Sequence, residues 1–151
     1  MIIAALVSFA HFFAFFALTA ALMLQLTLIS ESISVDIAKR IQRADRVYGI
    51  AAILLLIFGL LRVYYFDKGV DYYFSNAFFL LKIGVFVLVG LMSLYPTIIY
   101  LRWNAELKQN ISPDLSTRQV HLLRRIIHTE LVGILAVLLC AALMARGLGS
   151  F

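Results

Sequence analysis

Four stretches of the chain stay apolar for longer than the core helix of a soluble domain requires, and the polar residues fall almost entirely between them. Residues 2–29 contain no Lys, Arg, Asp or Glu. Residues 47–66 are apolar until Arg62, residues 77–101 carry Lys82 as their one charge, and residues 126–145 hold His128 and Glu130 in their first turns. A helix needs about 20 apolar residues to cross the hydrocarbon core of a bilayer. The pattern therefore predicts four spans, at 2–29, 47–66, 77–101 and 126–145, in one domain over 1–151. The fold class expected is all-α: an integral membrane, antiparallel four-helix bundle.

The connections read differently from the spans. Between the second and third lies a short loop, DKGVDYYFSN, whose Gly69 and Asn76 are turn formers. In the connection 30–46, Ile33, Ile37, Ile41 and Ala44 recur at helical spacing, with Lys39, Arg40 and Arg43 on the remaining arc. That pattern predicts an amphipathic helix lying among the headgroups. In the connection 102–125, Ser112 as N-cap, Pro113 at the first helical position and Asp114 in the first turn predict a helix that runs on into the fourth span.

Composition agrees with the pattern. Hydrophobic residues make up 64% of the 151 and charged residues only 14%, against about 25% in an ordinary soluble domain. The first span has no Lys or Arg ahead of it, the earliest being Lys39. It lacks the basic n-region of a signal peptide and reads as a retained helix. The one cysteine, Cys140, excludes an internal disulfide and a Cys-rich cluster within one chain. The net charge of +5 does not point to nucleic acid, because the basic residues flank membrane spans, where orientation and anionic headgroups account for them. Lys39, Arg40, Arg43 and Arg46 occupy the first connection, and Arg102, Lys108, Arg118, Arg124 and Arg125 the third or its continuation. The middle loop has only Lys68. Positive loops stay cytoplasmic, so the expectation is a multi-pass protein of the bacterial inner membrane with both termini outward.

Ionisable side chains inside a membrane span cost a few kcal/mol at the centre and mark functional sites by default. Lys82 lies about 7–8 Å inside the outer end of the third span. It either snorkels to the headgroups or, sharing a helix face with Ser75, Ser93 and Tyr100, points into the bundle. His11 sits about 13 Å from the outer end of the first span, on a face with Ala4, Ser8, Ala14 and Gln25. It is either a neutral histidine bonded to a neighbouring helix, or an axial ligand or proton-handling group. Glu130 shares its face with Gly133, Cys140, Ala141 and Met144 and should point inward. A buried carboxylate needs a partner, and Arg46, expected at the same level, is the candidate for a structural ion pair. His128 and His121 are expected at the interface and are not read as ligands. Arg62 can pair with Asp67 or Asp71, or join Lys68 in receiving a ligand carboxylate. No P-loop, GxSxG, HExxH, CxxC or CxxCH motif occurs.

The blocks RADRVYGIAAILLLIFGLLRVYYFDKG, YYFSNAFFLLKIGVFVLVGLMSLYPT and LRWN resemble an uncharacterised bacterial family of four-helix membrane proteins, known only as a domain of unknown function. The resemblance covers nearly the whole chain. Ala77 stands where that family's pattern often has proline. More distantly the layout is similar to the copper-resistance D group and to the HemJ-type protoporphyrinogen oxidase, which carry a histidine in the first span and, in the HemJ type, a lysine in the third. That likeness implies cofactor-binding roles for His11 and Lys82 toward haem b or a related tetrapyrrole, with His11 on the iron and Arg62 and Lys68 at the propionates. The alternatives are a partner-binding membrane subunit or homo-oligomer without a cofactor, and a carrier for a small solute or ion.

Overall fold

The computed structural model describes residues 1–67 and 69–150. Its helices are α1 (Ile2–Leu28), α2 (Val35–Leu61), α3 (Val70–Phe74), α4 (Ala77–Arg102), α5 (Asn104–Lys108) and α6 (Thr117–Ala145), and a π-helical turn, Arg62–Phe66, extends α2. There is no strand among the described residues. Four rods, Ile2–Leu28, Val35–Phe66, Ala77–Lys108 and Thr117–Ala145, are long and apolar enough to cross a membrane. The protein is an all-α, four-helix membrane-spanning bundle.

Two boundaries differ from the expectation, each for a local reason. The segment before residue 47 is not a separate surface helix. Ser34 caps α2, its side chain accepting from the Ile37 amide at 3.3 Å, and the helix runs unbroken from Val35. No Gly or Pro interrupts residues 35–48, and the apolar stripe of Ala38, Ile41 and Ala44 continues as Tyr48, Ala51 and Leu55, buried against protein. At α6 the cap is Ser116, not Ser112. Ser116 and Gln119 form a capping box, which satisfies two amides reciprocally, whereas Asp114 bridges to Ser32 and Pro113 is buried in the loop.

Helices α1 and α2 pack as one pair, α4 and α6 as another, with α1 meeting α6 and α2 meeting α4 to close the bundle. The α1–α2 pair is antiparallel: His11, early in α1, meets Leu55 and Gly59, late in α2. One end of the bundle gathers the basic turns of α2 and α6. Here an apolar core unites Ile29, Ile41, Tyr100, Trp103, Leu115 and Leu123, and Arg124 Nη2 donates to the Ile29 carbonyl at 2.9 Å, meeting the negative end of α1 with a cation. We call this the basic end. A central core follows, including Leu18, Leu22, Tyr48, Leu55, Ile127 and Ile134, and a smaller one of Val63, Tyr73, Phe79 and Met144 lies at the opposite, cavity end. Val35–Phe66 has 32 residues, about 48 Å at 1.5 Å per residue, against a hydrocarbon core of about 30 Å. The rods therefore stand proud of the lipid.

Two contacts fix the α4–α6 pair. Gly133 sits so close to α4 that a Cβ there would lie 2.5 Å from Val89 Cγ2. At the cavity end, fully buried Asn76 caps α4, its Oδ1 accepting from the Phe78 and Phe79 amides at 3.0 and 3.3 Å. Its Nδ2 donates to the Leu148 carbonyl at 2.8 Å, and the Ala77 amide donates to the Gly149 carbonyl at 2.8 Å. The segment after α6 is thus folded across the start of α4.

Candidate functional site

At the cavity end the four rods part around a cavity of about 500 Å³, within the range of roughly 300–1,000 Å³ usual for cofactor and small-molecule sites. Phe15, Leu55, Ile83, Phe86 and Met144 help make its walls apolar, His11, Arg62, Asp67 and Lys82 line it with charged or basic groups, and Tyr72 and Tyr73 add phenols.

His11 is half-buried, with Nδ1 3.1 Å from the Leu55 carbonyl. A carbonyl oxygen only accepts, so Nδ1 carries the hydrogen and donates it, leaving the lone pair of the neutral ring on Nε2. A Cβ on Gly59 would lie 3.2 Å from His11 Cε1. The bare glycine therefore leaves the seat that the imidazole occupies.

The π turn sets the polar mouth. Its closing bond runs from the Asp67 amide to the Arg62 carbonyl at 2.8 Å, and such turns often occur at functional sites. Arg62 Nη2 pairs with Asp67 Oδ2 at 3.0 Å, and the Tyr73 hydroxyl donates to the same oxygen at 2.9 Å. The guanidinium also rests 5.4 Å from the centre of the Phe12 ring, a cation–π distance. Asp67 takes up the charge of Arg62 in what is the one ion pair among the described residues.

Among the described residues Lys82 has no such partner. It is half-buried, and its Nζ lies 5.0 Å from the Phe79 ring centre and 6.0 Å from that of Tyr73. Aromatic faces hold the stem and ammonium beside the cavity, which leaves the lining with one uncompensated positive charge.

Tyr73 yields a pH prediction. Burial, reinforced by the bond to Asp67, pushes its phenol up to about 12. The folded protein holds that proton more tightly than the unfolded chain, whose phenol titrates near 10. The stability this supplies is complete below about pH 10 and is lost as pH rises toward about 12. Thermal melts across that window should show a steeper alkaline loss in the native protein than in Tyr73→Phe.

His11, Lys82 and Arg62 thus meet at one cavity. Lys68 lies outside the described residues. The expected Glu130–Arg46 ion pair is not formed. Glu130 is buried with Oε1 unpartnered, while Arg46 is exposed and its Nε donates to the Gln42 carbonyl at 3.4 Å. The unbroken helix through residue 46 keeps the long Arg46 side chain on the outer arc, where water solvates it better than a buried carboxylate could. Of the proposed polar stripe on α4, Tyr100 is buried and Lys82 and Ser93 half-buried, but Ser75 is exposed in the turn before the helix. His121 and His128 are exposed at the basic end, and His128 Nδ1 lies 2.7 Å from the Arg124 carbonyl. Sequence reasoning missed Gly59. Its signal was the one small residue in the bulky apolar run 53–61, the kind that admits a close neighbour.

A family described as "Predicted membrane protein (DUF2214)" matches residues 3–149. The chain belongs to this family. No curated protein and no solved structure matches it.

Proposed function

We propose that this protein binds haem b or a related tetrapyrrole in the cavity at His11 and serves a redox-associated role at the membrane. One observation carries the reading: His11, Lys82 and Arg62 line a single apolar cavity, and the His11 Nδ1 contact to Leu55 leaves Nε2 as the lone-pair nitrogen. The residues fit such a group. Apolar walls suit a macrocycle, the Gly59 seat admits the imidazole, and the uncompensated Lys82 charge suits a carboxylate. His11 would hold the iron, Lys82 would act as second ligand or as propionate partner, and Arg62 would face a propionate with Asp67 as its competitor. With the other two histidines at the basic end, His11 is the one imidazole this chain offers. When bound, the group would supply one-electron chemistry, and the chain would orient it and exclude water. The reading takes up the resemblance of the layout to the copper-resistance D and HemJ-type groups, which rests on a first-span histidine and, for the HemJ type alone, a third-span lysine. The excess of Lys and Arg at the basic end supports placing that end in the cytoplasm and both termini outside the inner membrane; reporter fusions at either terminus test this.

The deciding test is a visible absorption spectrum of gently purified protein before and after dithionite, with His11→Ala, Lys82→Ala and Gly59→Leu alongside. We expect a Soret band that shifts on reduction, is lost or displaced in His11→Ala, and weakens in the other two. A protein that stays colourless after expression with added haem precursor would overturn the reading. A colourless protein with a co-purifying membrane partner would instead favour a subunit role.

A further inference from the structure

On the basic-end side of the bundle, around the level where the basic-end core meets the central one, every rod turns a polar side chain inward. These are Gln25 of α1, Asp45 and Tyr48 of α2, Tyr100 of α4 and Glu130 of α6. Gln25 falls between Leu22 of the central core and Ile29 of the basic-end core, and Glu130 lies one turn deeper, between Ile127 and Ile134 of the central core. Gln25, Tyr100 and Glu130 are each 1% exposed, and Gln25 Nε2, the Tyr100 hydroxyl and Glu130 Oε1 have no hydrogen-bond partner among the described residues. The Asp45 and Glu130 carboxylates act on one another electrostatically, and both act on Tyr48 and Tyr100.

Asp45 links this layer to the surface. Its Oδ1 accepts from the Thr97 hydroxyl at 3.0 Å, and it lines a second cavity, about 160 Å³, with Gln42, Arg46, Tyr100 and Asn104. Arg46 and Asn104 are exposed, so the cavity opens toward the basic end. Among the described residues neither carboxylate has an ion-pair partner. An ionised carboxylate taken out of water without a partner carries a penalty of several kcal/mol, so one of the pair has to be neutralised by something small enough to enter. A metal ion would want a richer cage, and among the described residues no group of three or more His, Cys, Asp or Glu could hold one.

We propose that Glu130 is a membrane-embedded proton-binding site, reached from the basic end through the Asp45 cavity. The step is a simple transfer: a hydronium in the cavity gives its proton by way of Asp45 to a Glu130 oxygen, an O–H bond forms there, and water remains. The neutral carboxyl then needs no counter-charge inside the layer. The titratable groups around Glu130 are Asp45 and Tyr48 from α2 and Tyr100 from α4. Helix α1 offers only Gln25, its single titratable side chain, His11, being at the other cavity. On α6 itself, Arg124, Arg125 and His128 lie toward the basic end, with Arg124 engaged by the Ile29 carbonyl. The site is separate from the His11 cavity and stands or falls without it.

The test is infrared difference spectroscopy of the reconstituted protein at about pH 7, native minus Glu130→Gln, in H2O and D2O. We expect the carbonyl stretch of a protonated carboxylic acid, shifted down in D2O. Carboxylate bands in its place would overturn the proposal, and so would an acid band that added Na⁺ abolishes at constant pH. Should the glutamine variant not fold, labelling of the native protein with a hydrophobic carbodiimide decides. Modification mapped to Glu130 supports the site, and its absence overturns it.

Discussion

Gly133→Leu is expected to separate α4 from α6 and to unfold much of the bundle at temperatures the native protein survives. Even a bare Cβ at this position would lie 2.5 Å from Val89 Cγ2 and 3.6 Å from Val85 Cγ1. Valine is a poor neighbour to push against, because a β-branched side chain in a helix has one strongly preferred rotamer. The strain therefore passes to the helix axes. Overpacking by one or two carbons costs about 1–3 kcal/mol, and leucine adds four where none fits, so its cost should lie at or above that range. Thermal melts in detergent or nanodiscs provide the measurement. Gly133→Ala gives a graded version, and Val89→Ala should rescue it, the pair showing the coupling expected of residues in direct contact. A Gly133→Ala variant as stable as the native protein would show that the helices are not in this close contact.

The second large effect is expected at Asn76. Asn76→Ala removes the α4 cap, typically worth about 1 kcal/mol, and removes the hydrogen bond to the carbonyl of Leu148, an exposed residue, for about 0.5–1.5 kcal/mol more. The loss should total about 1.5–2.5 kcal/mol. It should also free the segment after α6, because Gly149 is seated by the same residue. Gly149 has φ +85°, and a Cβ on it would lie 2.5 Å from the Phe78 ring. Hydrogen exchange should therefore rise at residues 147–150 and at the first turn of α4 together. Asn76→Asp separates the two roles, since its carboxylate keeps the cap oxygen but has no amide to donate to Leu148.

The hydropathy pattern made the rods legible because lipid imposes one requirement on every turn of a spanning helix. That requirement ends where the lipid does. At residues 35–46 the same amphipathic stripe serves a surface helix or a helix packed on protein, and only the neighbouring rods decided for the latter. The cap of α6 shows a local competition: Ser112-Pro113 and Ser116-x-x-Gln119 both read as helix starts, and the reciprocal bonds of the second won. At the site, His11, Lys82 and Arg62 stood out because each breaks an apolar run, and Arg62 found Asp67 as one of its two expected partners. Gly59 was passed over, since a small residue in an apolar run shows only that something can approach, and that it is His11 becomes clear once the two helices are packed. Glu130 was expected inside, and its partner was misjudged because Arg46 had a cheaper place in water.

The overhang of the long rods has its own consequence. Within hydrocarbon no solvent force drives one apolar helix against another, and contacts such as Gly133 with Val89 depend on close fit. The basic-end core around Trp103 and Leu123 lies where α2 and α6 outrun the lipid, so burial from water also helps hold it. The two ends of one molecule are thus bound by different forces. Urea should loosen the Trp103 end first and leave the lipid-embedded half assembled, while a change of acyl-chain length should do the reverse. Trp103, the chain's one tryptophan, is the fluorophore that reports it.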